Sequence, residues 1–198
     1  APLYFFWRAY GFCQKFDGNW RSNKLPSIKI ARCSYSPHLQ PMKPWPYPKW
    51  IAHRGAGKLA PENTLAAFQL GAKLGYRMFE CDAKLSSDGV VFLLHDEYLE
   101  RTTNGTGIAG SHGWSHLSQL DAGSWHSQAY AGEALPTLES VAQFCISHGY
   151  FLNIEIKPTA GTEALTGTNV AKEAMHLWQG ASIPPLLTSF KTEALVAA

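Results

Sequence analysis

The chain has 198 residues, of which 45% are hydrophobic and 13% aromatic, enough for one sizeable core and too apolar for global disorder. No apolar run approaches the roughly 18 residues of a membrane-spanning helix, so we expect no stable membrane insertion. The four cysteines are scattered without metal-ligand spacing, and we expect reduced thiols in a cytoplasmic protein.

The net charge of +2 conceals an uneven distribution along the chain. Residues 1–41 contain six Lys or Arg and one acid, whereas the remaining 157 residues contain eleven bases and fourteen acids. A basic arm that binds nucleic acid would have this asymmetry, but residues 1–41 lack both an amphipathic period and regular basic–aromatic alternation. We therefore expect no nucleic-acid partner, and we interpret residues 1–41 as a non-native or upstream extension that precedes Met42.

Strand and helix patterns alternate from residue 49 onward. The predicted strands are residues 49–53, 78–83, 90–94, 151–157 and 185–190. The predicted helices begin near residues 61, 136, 169 and 192, the third of them covering roughly 169–178. This order predicts a parallel α/β sheet, and polar residues at strand ends are typical of a TIM (β/α)8 barrel. Because only about five of eight strands fit, we expect a C-terminally truncated barrel in residues 42–198; an open five-stranded sheet is the alternative.

Glu80 and Asp82 lie two positions apart in the predicted strand 78–83, so their side chains point to the same face. Two neighbouring carboxylates repel each other, and burying both is unfavourable unless a cation lies between them. Carboxylate oxygens suit a hard divalent ion, so the pair predicts one Mg²⁺ or Ca²⁺. An exposed strand edge is the alternative explanation of an isolated Glu-x-Asp.

Two histidines flank these carboxylates in the sequence, each at the end of an apolar run. His53 ends the run that starts at Ile51, and His95 ends the run that starts at Val90. Histidine exchanges protons near neutral pH, which suits a pair acting as general base and general acid. Together with the carboxylates, the two histidines indicate a catalytic site.

The sequence resembles the glycerophosphodiester phosphodiesterases, most closely their cytosolic bacterial members. The resemblance covers residues 45–198, and its motifs occur in family order. The motifs are His53-Arg54-Gly55, Pro61-Glu62-Asn63-Thr64, Glu80-Cys81-Asp82, Asp88-Gly89, Leu94-His95-Asp96, Arg101-Thr102-Thr103, Gly123-Ser124-Trp125, Leu135-Pro136-Thr137-Leu138, Ile154-Glu155-Ile156-Lys157 and Thr188-Ser189-Phe190. Each motif alone is weak, but the ordered set is specific.

This resemblance implies a TIM barrel of the phosphatidylinositol-phospholipase-C-like type with an inserted subdomain. The irregular, glycine-rich segment at about 97–136 fits that insertion. The resemblance also implies that Glu80, Asp82 and Glu155 are metal ligands and that His53 and His95 are the catalytic pair.

Two cations near the expected site are candidates for binding the substrate phosphate. Lys157 shares a strand face with Glu155, and Arg54 can make bidentate contacts with phosphate oxygens. The role of Glu62 stays open: it could orient Arg54, bind near the metal or stabilise the first turn of the following helix.

The implied activity is hydrolysis of glycerophosphodiesters, deacylated phospholipids such as glycerophosphocholine or glycerophosphoethanolamine, to sn-glycerol 3-phosphate and an alcohol. The family is thought to proceed through a cyclic phosphate, with His53 as base and His95 as acid in the first step. Such an enzyme of glycerol and lipid metabolism has a small-molecule substrate. The alternatives are the same site acting on lysophospholipids or inositol phosphodiesters, and an inactive truncated fragment.

Overall fold

The computed structural model describes residues 44–198. The interpretation of residues 1–41 as an extension therefore lies outside the described residues. Within residues 44–198, no helix combines the length and apolar character that crossing a bilayer requires.

In residues 44–198, four strands form a single mixed sheet. They are β1 (Met78–Leu85), β2 (Val91–Leu93), β3 (Phe151–Ile156) and β4 (Leu186–Thr188). Their spatial order is β2-β1-β3-β4; β3 is parallel to both β1 and β4, whereas β2 is antiparallel to β1. The parallel register places Asp82 of β1 beside Glu155 of β3.

The described part of the chain also contains five α-helices. They are α1 (Leu65–Lys73), α2 (Trp114–Leu117), α3 (Leu138–His148), α4 (Glu163–Leu177) and α5 (Thr192–Ala197). Threonine side chains begin α1 and α3: Thr64 accepts a hydrogen bond from the Ala67 N–H, and Thr137 accepts one from the Ser140 N–H. Helix α3 ends at Gly149, whose φ of 68° lies in the left-handed region that glycine tolerates.

Among residues 44–198, the buried apolar side chains form one main core and two smaller clusters. The main core lies between the sheet and helices α1, α3 and α4, and it includes Phe68, Phe79, Val141 and Ile154. A second core underlies the irregular segment that follows β2. Its members are Phe92, Leu94, Leu99, Ala109, Leu117, Leu120, Ala122 and Leu135. This segment therefore folds over its own apolar residues.

Two predictions about the sheet are wrong. Residues 49–53 do not form a strand; Ala52 alone makes an isolated bridge to Phe79, and Trp50 is 72% exposed. The sheet is not uniformly parallel, because the tight turn after β1 reverses the chain direction. Strand β2 therefore pairs antiparallel with β1. In that turn the Ser86 N–H donates to the Val90 carbonyl at 2.9 Å. The described residues therefore form an open four-stranded sheet.

The start of the helix predicted over roughly 169–178 is also wrong. Helix α4 begins at Glu163, six residues earlier, and includes part of a glycine- and threonine-rich run that resembles a loop in sequence. A Cβ on Gly167 would lie 2.0 Å from the Ala194 carbonyl oxygen, so only glycine lets α5 approach α4 this closely. Tertiary packing thus favours a helix where local propensity does not. The other predicted helices and strands are confirmed, apart from shifts at their ends.

Candidate active site

The three predicted metal ligands lie together on the sheet. Glu80, Asp82 and Glu155 each offer one carboxylate oxygen, and these oxygens all lie within 4.8 Å of one another. We call these residues the acidic cluster. Strand alternation puts Glu80 and Asp82 on one face of β1, and the parallel register brings Glu155 beside them. Asp82 is fully buried and Glu80 nearly so.

The electrostatics of the acidic cluster favour a bound cation. Burial, and after it the charge of Asp82, raises the pKa of Glu80 well above its ordinary value. One oxygen of each carboxylate is buried and has no hydrogen-bond donor within residues 44–198: Glu80 Oε1, Asp82 Oδ1 and Glu155 Oε1. Convergent carboxylate oxygens that lack donors are the ligands that a hard divalent cation prefers. The residues of the acidic cluster therefore fit one divalent ion.

Two basic side chains border the acidic cluster. Lys157 Nζ lies 3.0 Å from Glu155 Oε1 and 3.8 Å from Asp82 Oδ1. Arg54 Nε lies 3.1 Å from Asp82 Oδ2, and the Arg54 backbone N–H donates to Glu80 Oε2 at 2.9 Å. The pairs Arg54 Nε–Asp82 Oδ2 and Lys157 Nζ–Glu155 Oε1 are close enough to be ion pairs. Neither pair has the geometry of a hydrogen bond. Both cations are thus close enough to reach a phosphate bound at the cluster.

Asn63 fixes the position of Asp82, although it was not among the predicted site residues. Its Nδ2 donates to Asp82 Oδ2 at 2.9 Å, and its Oδ1 accepts from the Asp82 N–H at 3.1 Å. Asn63 adopts a φ of 59°, in the left-handed region where Asn is among the few tolerated residues. That preference, in a residue just before a helix cap, is the signal that could have identified it.

His53 follows the bridge residue Ala52 and points toward the acidic cluster. Its Nε2 lies 3.9 Å from Glu80 Oε2, and about half of its side chain is exposed. Burial, and after it the charge of Arg54, lowers the pKa of His53. The imidazole is therefore neutral at physiological pH and able to accept a proton.

His95 comes two residues after β2 and is held by a chain of charged groups. Its Nδ1 lies 2.7 Å from Asp96 Oδ1, and Arg101 binds the same Asp96 carboxylate through Nε and Nη2. Arg101 also forms two hydrogen bonds with Glu62, which accepts a further one from Arg54 Nη1 at 2.9 Å. We call these five residues the ion network. It links the candidate acid to a cation beside the acidic cluster.

The contacts of Glu62 bear on two of its three candidate roles, orienting Arg54 and stabilising the first turn of α1. Glu62 precedes α1 outside its first turn, which contains no acidic residue. Its carboxylate instead binds the guanidinium groups of Arg54 and Arg101. Although burial alone would raise the pKa of Glu62, the hydrogen bonds and charges of Arg101 and Arg54 lower it. These contacts favour the role in which Glu62 orients Arg54.

Lys84 is a third charged residue on the polar face of β1, and it was not among the predicted site residues. The side chain is 2% exposed, and its Nζ donates to the Lys157 carbonyl at 3.3 Å. Burial, and after it the charge of Lys157, lowers the pKa of Lys84 to about 8. The spacing 80, 82, 84 could have placed it beside the acidic cluster.

These contacts define an α/β protein in which carboxylates, cations and a histidine converge on the polar face of one strand. Residues 53–197 match the glycerophosphoryl diester phosphodiesterase family, and the chain belongs to that family.

Individual relatives agree with this assignment. A glycerophosphodiester phosphodiesterase of Caldanaerobacter subterraneus is 42% identical over 107 residues, 54% of this chain and 44% of that protein. The human glycerophosphoinositol inositolphosphodiesterase GDPD2 is 43% identical over 102 residues, 47% of this chain and 19% of that protein. A solved phosphodiesterase of Oleispira antarctica, in complex with the product sn-glycerol-3-phosphate, is 39% identical with a TM-score of 0.71; the match covers 77% of this chain and 61% of that one.

The chain spans about half or less of the length of the curated relatives it matches first. Within that span, the likeness to the solved phosphodiesterase supports an α/β fold of the family's TIM-barrel type.

Proposed function

We propose that this chain carries the active site of a metal-dependent glycerophosphodiester phosphodiesterase, which releases sn-glycerol 3-phosphate and an alcohol. The observation that carries the proposal is the acidic cluster with its unsatisfied oxygens, bordered by His53 and by two cations. Family membership and a solved relative that holds sn-glycerol-3-phosphate support the substrate class.

The charged residues divide the work of the reaction. A divalent ion held by Glu80, Asp82 and Glu155 would lower the pKa of the attacking hydroxyl and neutralise phosphate charge. Arg54 and Lys157 lie beside the cluster and would bind the phosphate oxygens. Both cations already form ion pairs with carboxylates of the acidic cluster. A bound phosphate would therefore share Arg54 and Lys157 with the cluster.

The two histidines would move the protons. In the first step, His53 takes the proton of a glycerol hydroxyl whose oxygen attacks phosphorus, and the bond from phosphorus to the head-group oxygen breaks. His95 gives its proton to that leaving oxygen, so an alcohol and a cyclic phosphate result. In the second step, His95 takes a proton from a water whose oxygen attacks phosphorus. The bond from phosphorus to the glycerol oxygen that attacked in the first step breaks, and His53 returns its proton to that oxygen.

The same proposal extends to the fold and location of the protein. We propose that the four-stranded sheet belongs to a barrel of the phosphatidylinositol-phospholipase-C-like type and that residues 97–136 are its inserted subdomain. The separate apolar core beneath that segment supports the second point. We also propose that the enzyme acts in the cytoplasm and uses Mg²⁺ or Ca²⁺.

The first test is the release of glycerol 3-phosphate from glycerophosphocholine with Mg²⁺, with Ca²⁺ and with a chelator. We expect release that needs the metal and a cooperative thermal melt of the same chain. Lack of release from a cooperatively folding chain contradicts the proposal, and lack of a cooperative melt supports the inactive-fragment alternative.

A second test concerns the acid. Replacing His95→Ala removes the proton donor, which a poor leaving group such as choline needs more than nitrophenol does. We expect the variant to lose activity on glycerophosphocholine and to retain more on a nitrophenyl ester. Equal losses on both substrates contradict the assignment of His95 as acid.

The human relative's name favours a second candidate substrate, glycerophosphoinositol. The two candidate activities break different bonds of glycerophosphoinositol. Cleavage between phosphorus and the inositol oxygen leaves the phosphate on glycerol, whereas cleavage between phosphorus and the glycerol oxygen leaves it on inositol. Product analysis with glycerophosphoinositol therefore separates them: glycerol 3-phosphate supports the first proposal, and inositol phosphate supports the second.

A further inference from the structure

Arg101 is the centre of the ion network and binds two carboxylates at once. Its Nη1 and Nη2 donate to Glu62 Oε2 and Oε1 at 3.0 and 2.7 Å. Its Nε and Nη2 donate to the two oxygens of Asp96, the second at 3.1 Å. A guanidinium has five donors in a fixed plane and can serve two carboxylates in this way, whereas a lysine ammonium cannot do so in the same geometry.

On one side of Arg101, the network fixes the ring of His95. The hydrogen bond from Arg101, and after it the contact with His95, holds the pKa of Asp96 well below its usual range, so Asp96 is ionised. An ionised carboxylate only accepts hydrogen bonds, and therefore the proton between it and His95 belongs to Nδ1. Nε2 is then the nitrogen that exchanges protons with substrate.

On the other side of Arg101, the network holds Arg54. Glu62 Oε1 accepts from Arg101 Nη2 at 2.7 Å and from Arg54 Nη1 at 2.9 Å. Arg54 in turn lies 3.1 Å from Asp82 of the acidic cluster. Glu62 comes before α1 and Arg101 lies five residues after Asp96, so the network joins two loops that no strand pairing connects.

We propose that Arg101 is a positioning residue that sets the tautomer of His95 through Asp96 and the place of Arg54 through Glu62. The catalytic consequence rests on the proposed function, whereas the effect on the His95 ring does not. Arg101 itself need not touch the substrate; it keeps the proton donor and the phosphate-binding cation at a constant separation.

The first experiment observes the ring directly. In the chain with ¹⁵N-labelled histidine, His95 is assigned by comparison with His95→Asn, and long-range ¹H–¹⁵N spectra report its tautomer. We expect the neutral ring to be in the Nδ1–H form in the wild type and in a mixture of tautomers in Arg101→Lys, whereas the ring that acts as acid carries a second proton on Nε2. A wild-type ring in the Nε2–H form, or an unchanged ring in Arg101→Lys, overturns the proposal.

The second experiment separates positioning from loss of stability. We expect Arg101→Lys to lower kcat on glycerophosphocholine about 10- to 100-fold, which is part of the roughly 100- to 10,000-fold that a general acid contributes, and on a nitrophenyl ester only a few-fold. KM should rise for both substrates because Arg54 loses its fixed partner. The matched control is Arg77→Lys. Arg77 is an exposed arginine that lies against Tyr150 and outside the ion network, so this variant should leave both reactions unchanged.

The outcomes distinguish this inference from the proposed function. Equal kcat losses on the two substrates, with a lower Tm and unchanged KM, mean a merely structural role and overturn the proposal. If the wild-type chain hydrolyses neither substrate, the proposed function fails, and the tautomer comparison still decides the role of Arg101.

Discussion

The two faces of β1 are equally buried but opposite in chemistry. Phe79, Cys81 and Ala83 have no exposed surface and belong to the main core. On the other face, Glu80, Asp82 and Lys84 are also buried, at 8%, 0% and 2% exposure. One strand thus carries a core side and a charged side in strict alternation. Burial therefore does not distinguish structural from functional residues here; the polarity of the buried group does.

This difference implies that the charged face is unfavourable for folding in the absence of a ligand. Burial raises the pKa of the Glu80 carboxyl and lowers the pKa of the Lys84 amine, so on both residues it disfavours the charged form. The apolar face has no such penalty, and its transfer from water stabilises the fold. Substitutions on the two faces should accordingly change stability in opposite directions.

The largest effect is expected on the apolar face. The Phe79 ring contacts the rings of Phe68 and Tyr150 at 5.5 Å between centroids and is fully buried. Phe79→Ala should lower the free energy of unfolding by about 4 kcal/mol, because it removes buried surface and leaves a cavity. Chemical denaturation measures this loss. The matched control Phe190→Ala, at a ring that is 77% exposed, should cost little, and a similar cost for both variants would contradict the comparison.

The polar face should respond in the opposite way. Because burial raises the pKa of Glu80, folding without metal must either bury its charge or take up a proton, and both are unfavourable. Glu80→Gln removes this cost, so the variant should be more stable than the wild type in a chelator. It should also bind Mg²⁺ or Ca²⁺ about 100-fold more weakly, a loss of about 2.7 kcal/mol. Thermal melts with and without metal check both statements, with the exposed Glu193→Gln as control. A variant that is less stable without metal would show that Glu80 contributes to folding itself.

Asn63 lies outside β1 but holds Asp82 of its polar face. It forms hydrogen bonds with both the backbone N–H and the side chain of Asp82. Asn63→Ala leaves the buried Asp82 N–H without an acceptor and puts alanine at a φ of 59°. We expect a loss of about 2 kcal/mol in the free energy of unfolding. Asn63→Gly keeps the backbone conformation accessible, so comparing the two variants by denaturation separates the strain from the lost hydrogen bond. Equal stability of all three proteins would mean that Asn63 does not hold Asp82.

The alternation of polar and apolar residues made much of this strand predictable from the sequence. Strict alternation over residues 78–83 placed Glu80 and Asp82 on one face and predicted that they share a cation, and the structure places their oxygens together. The pattern extends one step further to Lys84, which could have been included. Sheet register, by contrast, depends on which strands become neighbours; the position of Glu155 beside Asp82 came from a family resemblance, not from spacing.

The ion network could not be predicted from sequence spacing. Glu62 and Arg101 are 39 residues apart, and their contact depends on how two loops pack. The antiparallel direction of β2 had a local signal in the sequence, the short turn at Ser86–Val90. The prediction of a uniformly parallel sheet did not take this turn into account. Helix α4 starts early for another non-local reason, since Gly167 packs against α5. Local patterns thus identified faces and elements, and long-range packing decided their partners.

The smallest predicted effect tests whether carboxylate burial is unfavourable away from the site. Glu173 of α4 is half-buried, and within residues 44–198 its carboxylate has no hydrogen bond or ion pair. Burial, and after it the charge of Glu139, raises the pKa of Glu173 to about 7. The folded chain therefore keeps this proton to higher pH than the unfolded chain does, and stability falls as pH rises from about 4.5 to about 7. Glu173→Gln should raise the free energy of unfolding by about 1 kcal/mol at pH 8, after allowance for solvent screening, and leave it unchanged at pH 4. Denaturation at the two pH values measures this difference. A gain of equal size at both would mean that charge is not the cause, and the cost assigned to the polar face of β1 would then need another explanation.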